Sequence, residues 1–583
     1  MSTREPTHAL RPNIRVLMAL ALLVLAMMAL GSGGSSSAAR AAAPTVPGAN
    51  SAQPAGKIDP FVSQDLAGDG SASLVIRMAD KADLRAAYGM KDHDARGWYV
   101  YNTLRDHAAR TQTGVRAFLD ARGVSYESYW GANVIIAEGN RELVEVLATR
   151  TDVERIESNR PFRGIDPIQS DPSDKSGANS PDGAIGIAWG VQNVRAPEVW
   201  AMGYRGAGIV IGNQDTGMRW THVAIKDQYR GWNGATANHN YNWWDGLRVP
   251  GDLPTNPCGY STNEPCDDDE LLGGGHGTHT TGTVLGDDGM GNQVGVAPEA
   301  TWMGCRNMER GVGRPQTYME CFEFFLAPHD LEGNNPDPTK RPHVMNNSWI
   351  CVEGCAPNTL QDLVEASQAS CIFVEVSAGN DGPTCSTIQF PPQIYEASFD
   401  TGSITVDEES GLPILSDFSS RGPVLSDGSM RIKPNVVAPG EDIPSALRGS
   451  DTEYGNLDGT SMAGPHTVGV VALIWSARPE LVRQITETKV LLQLSANPDV
   501  HVVDPIQECG GTTEADIPNN HFGYGRVDAF AALQRAQGIE PTATAILASP
   551  TPGTPTATPT ACPIQFADVP ANHTFYASVR CLS

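Results

Sequence analysis

Positions 60–163 combine two hydrophobic periods that predict a small α/β domain. Apolar side chains alternate with polar ones in three strand-like runs, and three other runs place apolar residues three and four positions apart, as on one helix face. A sheet that buries one face needs covering helices, so we expect a compact sandwich of both. The strand-like runs are SLVIRM (73–78), ANVIIAEG (132–139) and VERIES (153–158), and the helical runs lie at 81–89, 103–123 and 142–150.

A longer alternation of buried strands and helices extends from residue 186 to residue 537. Such alternation is typical of an α/β fold with a mostly parallel central sheet flanked by helices. The strand-like runs include GAGIVIGNQDTG (206–217), HVMNNSW (343–349) and CIFVEVSAGN (371–380), and the helical runs include NTLQDLVEASQAS (358–370) and VGVVALIW (468–475).

Four polar residues of distinct chemistry lie where these runs begin or end. Ser461 stands at the mouth of an apolar helical run with Pro465 in its first turn, where free N–H groups and the helix dipole favour an anion formed on attack. Asp215 ends a buried strand, His276 opens a glycine-rich helix and Asn380 follows another strand. Because parallel strands end at one edge of the sheet, we expect the four side chains to converge there.

The motifs around these residues resemble those of the subtilisin-like serine peptidases, the subtilases, over roughly residues 186–537. The resemblance implies that Ser461 is the nucleophile and that His276 is the general base and then the general acid. It implies that Asp215 orients the imidazole, and that Asn380 and the Ser461 backbone N–H donate to the oxyanion. The motifs are IGNQDTGM, GGGHGTHTTGTVLG, VSAGNDGP and GTSMAGPH, joined by GVAP (295–298), NNSW (346–349), FSSRGP (418–423) and KPNVVAPG (433–440).

The resemblance also implies a substrate-binding strand. Asn347, Ser348 and Gly379 match substrate-binding positions of the family, and NNSW with the cysteines is similar to the bacillopeptidase-like branch. Trp349 and Ile350 follow Ser348 where the family has a short glycine pair, so the residue preferred before the cut is not indicated. Protein or peptide substrates are expected, and the chemistry requires no cofactor.

Other positions depart from the family pattern. Gly464 stands where a serine is common, and we expect it to be tolerated because that position makes no bond in the reaction. The segment matching the family's calcium loop, 287–293, carries glycine at positions 289 and 291, which puts that calcium site in doubt. The acidic run 267–270 could hold a structural calcium ion, although the absence of ligand spacing favours a solvated acidic loop.

The domain at 60–163 resembles the inhibitory propeptide of subtilases, which would act on the peptidase in cis. The alternative is a spacer domain. Residues 164–185, rich in Gly, Ser, Asp and Pro, predict an exposed linker that suits a processing site. The subtilase domain is expected at 186–537.

The two ends of the chain predict export. Three arginines precede an apolar run at 16–30 that is too short to span a bilayer comfortably, and small residues follow to position 43, so residues 1–43 predict a secretory signal peptide rather than a membrane anchor. A Pro/Thr-rich linker is predicted at 538–561. The segment 562–583 resembles part of a surface-layer homology repeat that would attach the protein to the cell surface, although a frayed tail is favoured.

Charge and cysteine content narrow the function further. The formal net charge of −26 would repel phosphate, which argues against nucleic acid partners. Eleven cysteines behind an export signal predict disulfides, with Cys258 and Cys266, and Cys351 and Cys355, as close pairs. If the last two cysteines pair with each other, nine remain, so at least one of these is free or intermolecularly bonded.

Four alternative interpretations remain open from the residues alone. His276 and His279 could bind zinc, but their spacing is not that of the zinc peptidase helix. The triplet Asp-Thr-Gly at 215–217 and 400–402 could form an aspartic peptidase pair, but the α/β alternation does not fit that class. A non-catalytic surface protein could keep the fold for binding. The tryptophans of the insert at 226–275, Trp232, Trp243 and Trp244, could line a substrate groove, although loop packing is favoured.

Overall fold

The computed structural model describes residues 56–68, 70–164, 185–248, 256–269, 274–352, 355–407 and 409–539. The predicted signal peptide, almost all of the processing linker and Pro/Thr-rich linker, and the C-terminal segment lie outside these residues. No helix within the described ranges is both long and apolar enough to cross a bilayer.

The N-terminal domain is an antiparallel four-stranded sheet covered by helices, in the order β2-β3-β1-β4. The predicted strands and the two later helical runs are present, whereas the run at 81–89 forms only a short 3-10 helix over Arg85–Gly89. The strands are β1 (Ser71–Met78), β2 (Tyr126–Tyr129), β3 (Val134–Asn140) and β4 (Val153–Ser158), and the helices are α1 (Pro60–Gly68), α2 (His93–Thr111), α3 (Thr113–Asp120) and α4 (Arg141–Ala148).

The second domain is built on an eight-stranded sheet in the order β16-β15-β14-β13-β7-β10-β8, with β17 also paired to β15. Every pair is parallel except β15 with β16, which confirms the predicted α/β class. Its strands are β7 (Val210–Asp215), β8 (Trp243–Asp245), β10 (Thr301–Arg306), β13 (Val344–Asn346), β14 (Phe373–Ser377), β15 (Phe399–Val406), β16 (Pro413–Leu415) and β17 (Val436–Pro439).

Short strands complete the second domain: β6 pairs with β9, β11 pairs with β12, and β18 pairs with β19. A further short strand, β5 (Phe162–Arg163), comes from the end of the N-terminal domain and joins β12. The remaining strands are β6 (Gly186–Ile187), β9 (Asn292–Gln293), β11 (Met308–Glu309), β12 (Val312–Gly313), β18 (Ile443–Ala446) and β19 (Tyr454–Leu457).

Helices cover the main sheet, and α10 (Thr460–Ala477) is buried along almost its whole length. Its residues from Thr460 to Trp475 are all buried, which explains why this run is apolar around its whole circumference. Pro465 is the sixth residue of α10, so it lies one turn deeper than the sequence predicted. The other helices are α5 (Trp189–Asn193), α6 (Ala196–Ala201), α7 (His276–Leu285), α8 (Pro315–Leu326), α9 (Gln361–Ala369), α11 (Ile485–Ser495) and α12 (Ala529–Ala536), with 3-10 helices at Pro338–Lys340 and Pro479–Leu481.

The N-terminal domain packs on helices α8 and α9 and shares a hydrophobic core with them. The Tyr129 hydroxyl donates to Glu320 at 2.9 Å, and the Gly131 N–H donates to Glu323 at 2.6 Å. Arg77, which is 1% exposed, donates to the Thr359 carbonyl at 2.7 Å. Buried polar contacts of this kind are costly to break, so they fix one orientation of the domain.

Four disulfides lie within the second domain, including both predicted close pairs. Cys371 is buried with a free thiol, which agrees with the odd cysteine count. In the insert, Trp243 and Trp244 are buried and Trp232 is half-buried against the core, which favours loop packing over an open groove. The disulfides join Cys258 to Cys266, Cys305 to Cys321, Cys351 to Cys355, and Cys385 to Cys509.

Candidate active site

The end of β7 and the start of α7 bring Asp215 and His276 together. His276 Nδ1 and Asp215 Oδ1 are 2.8 Å apart, and both side chains are almost wholly buried. The Thr280 hydroxyl donates to the second oxygen of Asp215 at 3.3 Å, and the Thr216 N–H donates to the first at 2.7 Å. These donors fix the carboxylate plane, and the carboxylate in turn favours the imidazole tautomer that carries its proton on Nδ1.

The N-terminus of α7 is capped by side chains from outside the helix. Helices begin with N–H groups that have no helical partner, and the residue before α7 is Gly275, which has no side chain to offer. Asp269 accepts from the His276 N–H and Asp267 from the Thr278 N–H, both at 3.0 Å. The Thr216 hydroxyl accepts from the Gly277 N–H, also at 3.0 Å.

The sequence favoured a solvated acidic loop at 267–270, but Asp267, Asp268 and Asp269 are buried; Glu270 lies outside the described residues. Asp267, Asp268 and Asp269 are 4%, 0% and 0% exposed. Asp268 pairs with Arg306 at 3.2 Å, while the other two carboxylates cap the helix that carries His276. The prediction failed because no local pattern shows that a run of charges will meet a helix N-terminus.

The acidic side chains around His276 raise the pKa of its imidazole. Burial alone would lower the pKa of His276, but the charges of Asp215, Asp269 and Asp267 outweigh it and raise that pKa above its ordinary value. Burial and the neighbouring Asp269 raise the pKa of Asp267 to about 7. The site thus favours a positive charge on His276, which is the charge it would carry after taking a proton.

Ser461 is the second residue of α10 and is 4% exposed. Pro465 has no N–H, so the Ser461 carbonyl lacks the donor that a helix would normally supply four residues later. The Ser348 hydroxyl donates to this carbonyl at 3.0 Å instead. In return, the Ser461 hydroxyl donates to the Ser348 carbonyl at 3.3 Å.

His276 Nε2 is buried and has no hydrogen-bond partner among the described residues. The structure therefore has no hydrogen bond between Ser461 Oγ and His276 Nε2, although the roles that the resemblance implies require a proton transfer between these atoms. Catalytic hydrogen bonds often shorten only when substrate is bound, and rotation about one side-chain bond moves the Ser461 hydroxyl away from Ser348.

Asn380 lies next to the start of the same helix. Its Oδ1 accepts from the Thr460 N–H at 3.0 Å and from the Thr460 hydroxyl at 2.8 Å. A backbone N–H can only donate, so this contact fixes which side-chain atom is oxygen and which is nitrogen. Gly379 precedes it with φ of 99°, a conformation that side chains disfavour, and its N–H donates to the Thr460 hydroxyl at 3.1 Å.

A buried amide network that the sequence analysis missed connects the two helices. Asn213 donates to the Thr280 and Thr281 hydroxyls of α7 at 2.9 and 2.8 Å. Asn346 donates to Asn213 at 3.1 Å and to Ser348 at 3.0 Å, and Ser348 donates to Ser461. Polar residues in a buried strand are costly unless satisfied, so their presence in β7 and β13 was the available signal.

Of the three predicted substrate-binding residues, Ser348 and Gly379 contact the start of α10, whereas Asn347 does not. Ser348 contacts Ser461 directly, as described above. Asn347 is wholly buried: it donates to the Glu375 carbonyl and accepts from Gln214, both at 2.6 Å, so its side chain lies behind the strand rather than in a cleft.

Glu375 explains the glycine at position 464. This carboxyl is wholly buried beneath the first turns of α10, and neither oxygen has a hydrogen bond of good geometry. A Cβ placed on Gly464 would lie 2.8 Å from the Glu375 carboxyl carbon, closer than real Cβ atoms approach. Burial raises the pKa of Glu375 well above its ordinary value, which favours the protonated form.

His279 and Asp400, on which the zinc and aspartic peptidase interpretations depend, make other contacts. His279 contacts the Ile443 carbonyl at 2.8 Å, and burial lowers its pKa to about 3, so it is a neutral packing residue. Asp400 pairs with Lys433 at 2.9 Å rather than with a second carboxylate. In the ranges that the structure describes, no three His, Cys, Asp or Glu side chains are grouped to hold a metal ion.

The segment that matches the family's calcium loop is internally bonded. Asp288 accepts from the backbone N–H groups of Met290 and Asn292 at 2.8 and 3.1 Å. Asp287 pairs with Arg205 at 3.2 Å. Calcium prefers several oxygen ligands free of competing donors, so these residues do not fit it well.

Comparisons with known proteins find similar sequences. The sequence profile of the subtilase family, peptidase S8, matches residues 206–525. Bacillopeptidase F of Bacillus subtilis is 33% identical over 489 residues, which cover 81% of this chain but 31% of that protein. The major intracellular serine protease of Bacillus subtilis is 29% identical over 52% of this chain and 80% of its own length.

A solved structure shares the fold. The crystal structure of fervidolysin from Fervidobacterium pennivorans, described as a keratinolytic enzyme related to subtilisin, superposes with a TM-score of 0.53. The match covers 80% of this chain and 61% of fervidolysin at 19% sequence identity. By sequence, the chain spans 31% of bacillopeptidase F and 80% of the major intracellular serine protease.

We predict that Gly464→Ala lowers the free energy of unfolding by about 1–3 kcal/mol, because the new methyl group meets the Glu375 carboxyl. In a Glu375→Ala background the same change should be neutral or stabilising, since alanine is the better helix former. Denaturant unfolding of the four proteins of this cycle measures the coupling. An equal cost of Gly464→Ala in both backgrounds would show that the two residues do not interact.

Proposed function

The chain belongs to the subtilase family, and we propose that it is a serine endopeptidase that uses Asp215, His276, Ser461 and Asn380. The observation that carries this proposal is the buried 2.8 Å hydrogen bond between Asp215 and His276, beside the helix whose second residue is Ser461. The residue types supply each part that amide cleavage needs: a nucleophile, a base, a group that orients the base, and an oxyanion donor.

The reaction proceeds in two halves. Ser461 Oγ attacks the substrate carbonyl carbon while His276 Nε2 takes the hydroxyl proton, and a tetrahedral intermediate forms. His276 then gives this proton to the leaving amine as the C–N bond breaks, which leaves an acyl-enzyme. Water attacks the ester by the same route and releases Ser461.

The polar surroundings favour the charges that develop. Asp215 and the caps of α7 stabilise the imidazolium, and the raised pKa of His276 is consistent with this role. The negative oxygen forms at the N-terminus of α10, where the Ser461 N–H and the Asn380 carboxamide donate to it. The contacts of Asn380 with Thr460 keep its oxygen turned to the helix, which supports a donor role for Nδ2.

The chemistry uses side chains of the chain itself and calls for no cofactor. The substrates are proteins or peptides. We further propose that residues 60–163 are an inhibitory propeptide that acts in cis, because this domain docks on α8 and α9 and contributes β5 to the β12 strand.

Processing would then separate the two domains shortly after Gly164. Its carbonyl accepts from the Ile350 N–H, and its N–H donates to the Gly311 carbonyl, each at 2.9 Å. Ile350 is two residues from Ser348, which contacts Ser461, and an extended chain covers that interval in about 7 Å. The peptide bond that reaches Ser461 is therefore expected only a few residues beyond Gly164.

We propose that the enzyme is exported. The four disulfides suit an oxidising compartment, and the sequence of residues 1–43 has the pattern of a signal peptide. Attachment to the cell surface through residues 562–583 is a further proposal that rests on sequence resemblance alone.

We predict that the processed protein hydrolyses casein and that Ser461→Ala abolishes this activity. Asn380→Ala should lower turnover by about 100- to 1000-fold, the cost of losing one oxyanion donor in subtilisin. A fluorophosphonate should label the unchanged protein and Asn380→Ala but not Ser461→Ala. Equal hydrolysis by the unchanged protein and Ser461→Ala would contradict the proposal.

Activity should rise with pH through an apparent pKa above 6.5, because the base must be neutral and its pKa is raised. Asp269→Asn keeps an acceptor for the His276 N–H but removes a negative charge, so the acid limb of the kcat/KM profile should move to lower pH. Asp516→Asn, on an exposed loop, is the matched control and should leave the limb in place. An unmoved limb in Asp269→Asn would show that this charge does not act on the base.

The amino terminus of the secreted, processed protein should lie between about residues 166 and 170, because an extended substrate strand would cover the interval from Ile350 to Ser348 in about two residues. Terminal sequencing measures it directly, and Ser461→Ala should remain unprocessed. A terminus at residue 44 in the active enzyme would show that residues 60–163 are not removed.

A further inference from the structure

The end of the N-terminal domain adds a strand to the second domain, between β12 and Ile350, in a channel that we call the groove. Arg163 of β5 faces Val312, and Phe162 faces Gly313, in antiparallel register with β12. Gly164 then lies between Gly311 on one side and Ile350 on the other, bonded to both through its backbone. Peptides that add a strand in this way gain affinity from the main chain and specificity from the pockets that receive their side chains.

The pocket at Gly164 is closed. A Cβ added to Gly164 would come closer than 3.0 Å to the Tyr318 hydroxyl oxygen, an approach that real Cβ atoms essentially never show. It would also lie 3.2 Å from the Ile350 carbonyl oxygen and 3.2 Å from Met308 Sδ. The φ of Gly164 is not in the left-handed range, so space rather than backbone conformation requires glycine at this position.

Two aromatic rings form the wall. Tyr318 and Trp349 stack with centroids 3.9 Å apart and an interplanar angle of 4°. The Trp349 indole donates to the Gln214 carbonyl at 3.1 Å, which anchors this ring to β7. A Cβ on Gly313 would lie 2.5 Å from Tyr318 Cζ, so the phenol edge is wedged between two glycines.

The Tyr318 hydroxyl is buried and has no hydrogen-bond partner within the described residues. No hydrogen bond therefore holds the ring in place; packing does, because the stacked Trp349 indole and the backbone of Gly313 confine it on two sides. A substrate side chain at this position would have to displace a packed aromatic pair.

The adjacent positions of the groove behave differently. Phe162, two residues earlier on the same face of the strand, is 6% exposed and packs on Tyr318 with centroids 5.7 Å apart. Arg163 lies on the other face and is exposed. The groove thus holds a large apolar residue, leaves the next side chain in solvent and excludes any side chain at the third position.

We infer that the peptidase selects substrates with glycine in the subsite now filled by Gly164 and a large apolar residue two positions before it, and that the stacked pair of Tyr318 and Trp349 sets this preference. The inference rests on the proposed function and specifies its substrates. The same strands receive a substrate once the N-terminal domain has left, so a foreign peptide meets the same wall.

A graded peptide series tests the subsite. Internally quenched peptides with the sequence of residues 160–170 carry Gly, Ala or Leu at the position of Gly164, and the processed enzyme is assayed for kcat/KM on each. The Ala peptide should be cleaved at least about tenfold more slowly than the Gly peptide, and the Leu peptide more slowly still. Replacing Phe by Ala at the position of Phe162 should also lower kcat/KM by about tenfold or more.

Variants of Tyr318 test whether the aromatic wall causes the preference for glycine. Tyr318→Phe removes only the hydroxyl that meets the added methyl group, so it should raise kcat/KM for the Ala peptide relative to Gly but not for Leu. Tyr318→Ala opens the subsite and should admit Leu. Tyr454→Phe removes a hydroxyl bonded to Asp288, outside this groove, and should leave the Gly-to-Ala ratio unchanged. Reaction with a fluorophosphonate confirms that each variant is folded.

The outcomes separate this inference from the proposed function. Equal cleavage of the Gly, Ala and Leu peptides by an enzyme that digests casein overturns the inference and leaves the endopeptidase proposal intact. A Gly preference that persists in both Tyr318 variants overturns the role of the wall. Absence of all Ser461-dependent hydrolysis overturns both. If Tyr318→Ala does not fold, the unchanged enzyme and Tyr318→Phe still decide the matter.

Discussion

The hydrogen bond between Asp215 and His276 is the interaction on which the rest of the site depends. It joins the last residue of a central strand to the first residue of a helix, and both side chains are buried. A buried carboxylate is costly unless donors surround it, and a helix N-terminus is costly unless acceptors cap it. Both requirements are met where the strand ends and the helix begins. Thr216 and Thr280 donate hydrogen bonds to the Asp215 carboxylate, and Asp267 and Asp269 accept from the first N–H groups of the helix.

Helix α10, which carries Ser461, also needs a side chain from outside the helix to satisfy a buried backbone group. Pro465 leaves the Ser461 carbonyl without a helical donor, and Ser348 supplies one. Through Asn346 and Asn213 this contact continues to α7, so the two helices that carry the proposed nucleophile and base are linked by one buried polar network. The closed subsite also combines a structural and a functional role, because the rings of Tyr318 and Trp349 belong to the hydrophobic core and also form the wall of the groove.

Much of this arrangement was predictable from local sequence, and the rest depended on contacts between distant segments. The strand before Asp215, the helix from His276 and the position of Ser461 follow from hydrophobic period and motif, and the structure has them where expected. The burial of Asp267–Asp269 was not predictable, because neighbouring sequence does not reveal that these residues meet the start of α7. The need for glycine at positions 464 and 164 was likewise not predictable, because it depends on Glu375 and Tyr318, which are distant in sequence.

The most direct test of the account is proton NMR of the His276 imidazole in the processed protein. A buried Nδ1 proton bonded to the Asp215 carboxylate should give a downfield resonance that titrates with a pKa above 6.5 and disappears in Asp215→Asn. A His276 imidazole that titrates at or below 6.5, with no resonance that depends on Asp215, would contradict the central claim.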